Sequence, residues 1–63
     1  MPYKIKEARI KMNLTQEELA RKSGVSRATI SALENGKAEI TTTDTLVKLA
    51  NALNQRVSDI FLA

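Results

Sequence analysis

The stretch LTQEELARKSGVSRATISALENGK, residues 14 to 37, constrains the fold most, because it writes two helix starts and two helix stops into one short run. Thr15 followed by Glu18 is a capping box: each side chain satisfies a backbone N–H that the first helical turn leaves unpaired. Leu14 precedes the cap and can clasp Leu19 inside the helix, which fixes the angle at which the chain enters. Gly24 supplies the positive φ that ends this helix, and Ser26 caps the next, which runs to Asn35 and stops at Gly36. Leu19, Ala20, Val25, Ile30 and Leu33 give the pair a common apolar side. A connection of about three residues makes such helices cross at roughly 90–120°, so Ala20 must be small where the second passes over it.

That arrangement is a helix-turn-helix, spanning about residues 15–35 with its second helix at about 26–35. A glycine after an amphipathic helix would occur in any all-α mini-domain. Here the small residue, the glycine and the three apolar positions match jointly. The rest of the chain is also helical in its spacing. A first helix is expected from about Tyr3 to Met12, with Pro2 near its first turn, an inward stripe of Ile5, Ala8, Arg9 and Met12, and Asn13 as the left-handed terminator. Thr42 or Thr41 caps a fourth helix with the stripe Leu46, Leu49, Ala50 and Leu53. VSDIFLA leaves room for a short fifth helix. The expectation is an all-α, compact five-helix fold, with residues 1–63 forming a single domain.

Composition removes whole classes of function. Without cysteine or histidine there are no disulfides, thiolate nucleophiles, imidazole bases or ordinary zinc sites. The carboxylates scatter over helix surfaces without an acid/base pair, so no enzyme, metal or cofactor is expected. Apolar runs are too short for a membrane span or a signal-peptide core, which makes the cytoplasm the expected location. A formal charge of +3 and a pI near 9.6 are compatible with nucleic acid without demanding it. One tyrosine and one phenylalanine cannot form the stacking platforms that hold single strands, so a duplex is the better-matched partner.

Residues 14 to 37 closely resemble the signature of the Cro and phage-repressor helix-turn-helix family, small bacterial and phage regulators. The likeness extends more weakly through TLVKLANALN and VSDIF, covering nearly the whole chain. It implies a lambda-repressor-like five-helix domain that binds double-stranded DNA as a symmetric homodimer on a palindromic operator, acting as a repressor. In that geometry the second helix of the motif enters the major groove and turns Arg27, Ala28, Ser31 and Ala32 toward base edges. Arg27 can pair bidentately with guanine, the alanine methyls can meet a thymine methyl, and Ser31 can donate or accept. Arg27 could instead clamp a phosphate or remain solvated. The resemblance makes Gln16 a phosphate contact, joined by Thr29, Asn35 and Lys37 around the recognition helix and by Thr42 and Thr43 at the start of the fourth. The loop KAEITTT departs from the family's basic loops, so electrostatic affinity per subunit is expected to be modest.

Arg9 puts a charge on an apolar stripe, and Glu34 follows Leu33 at the inner edge of the third helix. The two resemble the family's arginine–glutamate pair that ties the first helix to the third; in the rival reading Arg9 reaches a phosphate. Val57, Ile60, Phe61 and Leu62 are dense for a chain end. They either complete the core or, as the resemblance implies, form the dimer interface. Gln55 and Arg56 replace the apolar residue and Ser or Thr cap usual before the family's last helix, leaving its start open. A competing class is a protein-interaction module of the same fold, such as an antitoxin or a subunit of a larger regulatory complex. Against it stands the small, polar outer face of the third helix, which offers no aromatic or leucine anchor.

Overall fold

A computed structural model describes residues 3–36 and 42–60 of the chain. The described residues form α1 (Ile5–Lys11), α2 (Gln16–Ser23), α3 (Arg27–Glu34), α4 (Thr43–Ala52) and α5 (Val57–Ile60), with no strand of any length among them.

Local chemistry sets most of the boundaries. At α2 the full capping box forms: the Glu18 N–H donates to Thr15 Oγ1 at 3.1 Å, and the Thr15 N–H donates to Glu18 Oε1 at 2.9 Å. Gly24 closes the helix with φ 77°, its N–H donating to the Ala20 carbonyl. Ser26 Oγ accepts from the Thr29 N–H at the start of α3, and Thr42 Oγ1 accepts from the Thr45 N–H at the start of α4. Asn13 takes φ 58° after α1, the left-handed role expected of it.

One boundary differs from the sequence reading, and one that it left open, the start of α5, falls at Val57. Helix α1 begins at Ile5 rather than Tyr3, because the Lys4 N–H donates to the Ile60 carbonyl at 2.7 Å and Tyr3 joins an isolated β-bridge. Arg56 has no side-chain oxygen with which to cap α5. Asp59 compensates by reaching back to accept the Arg56 N–H at 3.0 Å, the returning half of a capping box.

The core takes one stripe from each helix. Ile5, Leu19, Ile30, Leu33, Leu49, Leu53 and Ile60 are almost fully excluded from solvent, with Tyr3, Val25, Leu46, Ala50 and Ala52 around them. Helix α2 packs on both α3 and α4, α1 packs on α3, and α5 packs on α4. Ala20 is half-buried and packs against this core. Burying a leucine or isoleucine contributes about 1.5–3 kcal/mol, so this stripe fixes which face of α3 points outward.

Ile60 departs from the expected dimer surface. Its side chain is 1% exposed within a single chain, so it completes the core, the first of the two places the sequence left open. Val57 is half-buried against the same core, while Phe61 and Leu62 lie outside the described residues.

Candidate nucleic-acid interface

With Ile30 and Leu33 inward, α3 turns Arg27 and Ala28 to solvent and leaves Ser31 and Ala32 half-exposed. These four side chains share the face opposite the core. Arg27 is the only long one among them and sits in the first turn of its helix. Small neighbours let a helix backbone approach a surface closely, and the arginine's planar fork can meet paired acceptors beyond it.

The pose of α3 is held from behind by a buried charge. Arg9 Nε donates to Glu34 Oε2 at 2.8 Å and Arg9 Nη2 donates to Glu34 Oε1 at 3.1 Å, a bidentate pair joining α1 to the end of α3. The Glu34 side chain is 1% exposed and that of Arg9 is 12% exposed. Arg9 Nη1 donates to the Leu14 carbonyl at 2.7 Å, so the same guanidinium also fixes the turn before α2. The hydrogen bond that Arg9 donates to Glu34, opposed by partial burial and helped by the carboxylate charge, raises the Arg9 pKa above its ordinary value.

Gln16 joins this corner in a way its sequence position did not announce. Its Nε2 donates to Glu34 Oε1 at 3.1 Å, so one amide N–H is committed inward and the second remains for another acceptor. Glu34 thereby receives donors from both α1 and α2. Periodicity could have placed Gln16 beside the pair only if the α2–α3 crossing were already known.

An open depression of about 520 Å³ brings Arg9, Gln16 and Arg27 together with Ile10, Asn13, Leu14, Thr15 and Glu17. Two expected site residues, Gln16 and Arg27, therefore share one surface. Sequence reasoning missed Ile10, which is 55% exposed there, and Glu17. Thr29 and Asn35 are tied locally: Ser26 Oγ donates to Thr29 Oγ1 at 2.8 Å, and Asn35 Nδ2 donates to Ser31 Oγ at 3.2 Å. The Thr29 hydroxyl proton is left to point elsewhere, whereas Ser31 is already accepting a bond. Thr42 and Thr43 start α4 and are exposed, but they do not line this depression. Lys37 and Thr41 lie outside the described residues.

Two crossed helices, a glycine turn and an outward arginine on a face of small side chains define a helix-turn-helix protein. A helix-turn-helix family model matches residues 5–60, and the chain belongs to that family, of the Cro and phage-repressor type. It is 45% identical over 62 residues to an "Uncharacterized HTH-type transcriptional regulator" of Archaeoglobus fulgidus, covering 98% of this chain and 86% of that one. A second relative, "Uncharacterized HTH-type transcriptional regulator MJ0272" of Methanocaldococcus jannaschii, is 44% identical, covering 98% of this chain and 92% of its own. A third, from Methanothermobacter thermautotrophicus and likewise named an HTH-type transcriptional regulator, is 42% identical, covering 92% and 84% respectively. These relatives are archaeal, whereas the family resemblance alone suggests a bacterial or phage source.

Proposed function

We propose that this chain binds double-stranded DNA sequence-specifically and regulates transcription, as a repressor homodimer on a palindromic operator in the cytoplasm. The observation that carries this reading is the outer face of α3. Its single arginine and small neighbours are presented by a helix whose reverse side is locked by the Arg9–Glu34 pair. The names of the archaeal relatives support the regulatory role. No helix among the described residues is long and apolar enough to cross a membrane.

In this reading Arg27 pairs with a guanine, and Ala28, Ser31 and Ala32 contact neighbouring bases. Gln16 gives its second amide N–H to a phosphate while the first holds Glu34. Thr29, Asn35, Lys37, Thr42 and Thr43 supply further backbone contacts, which position the protein without reading sequence. With Ile60 in the core, the two-fold contact rests on Val57, Phe61 and Leu62. Val47, 40% exposed on α4, is available to join them. So few readers per subunit make two copies the natural source of specificity, with half-sites about 34–36 Å apart.

A salt titration of duplex binding tests the reading, with affinity expected to fall linearly in log–log form as phosphate contacts exchange with ions. Affinity indifferent to salt, or no enrichment of any duplex from a random library, counts against it. The exposed Ile10 would then favour a protein-binding role for the same surface.

A further inference from the structure

The depression that holds Gln16 and Arg27 also holds a carboxylate with no evident task. Glu18, its neighbour, is committed to the capping box, but Glu17 is exposed and makes no ion pair among the described residues. Arg9, the depression's other cation, is neutralised by Glu34. The unmatched charges on this surface are therefore Glu17 at the second position of α2 and Arg27 at the first position of α3.

We propose that Glu17 is a specificity-determining residue that acts through Arg27. This rests on the DNA-binding reading above. A guanidinium at the mouth of a DNA-facing surface has two classes of acceptor available: any phosphate, which carries no sequence information, and guanine O6 with N7, which does. A carboxylate in the same depression competes for Arg27 and repels phosphates, so it weakens the sequence-independent mode. In the specific complex the planar guanidinium bonds guanine along one edge and leaves its other N–H groups for Glu17. Glu17 thus steers Arg27 toward bases and away from the backbone, raising the ratio of specific to non-specific binding.

As an acid in the first turn of α2, Glu17 also complements that helix's dipole, and a purely structural role of this kind would alter melting without altering base preference. Glu17→Gln separates the two, measured by binding to a selected duplex, to the same duplex changed at the base Arg27 reads, and to unrelated sequence. The full chain is used in wild-type and Arg27→Ala backgrounds. Non-specific affinity should rise about threefold, the effect of one unit charge roughly 7 Å from a phosphate in water. Preference for the base read by Arg27 should fall, and this fall should vanish when Arg27 is already alanine. Glu17→Asp should restore much of the preference. Equal shifts on all duplexes, or the same change in preference without Arg27, overturn the role of Glu17 and leave the DNA reading standing. Failure of the wild-type chain to bind any duplex overturns both.

Discussion

Two arginines line the same depression and meet opposite fates. Arg9 spends its guanidinium on the buried Glu34 carboxylate and the Leu14 carbonyl, joining α1 to α3 and to the turn before α2. Arg27 stands exposed at the start of α3, with no ion pair among the described residues. The difference follows from the face of the helix on which each residue falls. Arg9 shares the stripe of Ile5 and Met12, so burial forces it to find a partner; Arg27 lies opposite Ile30 and Leu33, so the same packing leaves it outward. One arginine fixes where α3 sits; in the proposed reading, the other contacts the bases.

Mutations should separate those roles, and the buried side should show the largest effect. Glu34→Gln removes the charge facing Arg9 while keeping the volume, leaving a largely buried cation without its counter-ion. A loss of about 3 kcal/mol is expected, a fall of at least 10 °C or so in Tm for a domain of this size. An unchanged Tm would count against a buried pair that orients α3. Thr15→Ala comes next, at about 1 kcal/mol for the lost cap.

The capping box also gives the protein a pH signature. The Thr15 backbone N–H, and secondarily its side chain, lower the Glu18 pKa below its ordinary value. A folded pKa below the unfolded one adds stability that is complete above the ordinary carboxylate range and is lost as pH falls through the folded value. The Tm gap between wild type and Glu18→Gln should therefore be full above the ordinary carboxylate range and close as pH falls from that range downward; a gap that does not change with pH would count against the cap. The smallest stability effect belongs to Arg27→Ala, within about 0.5 kcal/mol as for exposed sites generally. A large drop in Tm there would mean that Arg27 supports the fold and would collapse the contrast with Arg9.

Much of this was legible in the sequence because it is encoded locally. Thr15 with Glu18, Ser26, Thr42, Gly24 and Asn13 each act within a few residues of themselves, and each takes the predicted conformation or bond. What could not be read depends on contacts distant in the chain. The Lys4 N–H bond to the Ile60 carbonyl sets the start of α1 and ties it to the end of α5. The Gln16 bond to Glu34 exists only because α2 and α3 cross where they do. For Ile60 the sequence leaves both core and interface open for the same reason: an apolar side chain carries no mark of which surface will cover it, and here the core does. The start of α5 is an intermediate case, since Asp59 was visible but its use as a returning cap on Arg56 was not inferred.

Whether the outer face of α3 reads bases through Arg27 is decided by selection from a random duplex library. The wild-type chain should enrich an inverted repeat. Arg27→Ala should lose preference at one position in each half-site, by about 1–3 kcal/mol, while the remaining positions are retained. Gln16→Ala should weaken every sequence alike. A uniform loss of affinity from Arg27→Ala, with the enriched sequence unchanged, would contradict the account and place Arg27 among the phosphate contacts.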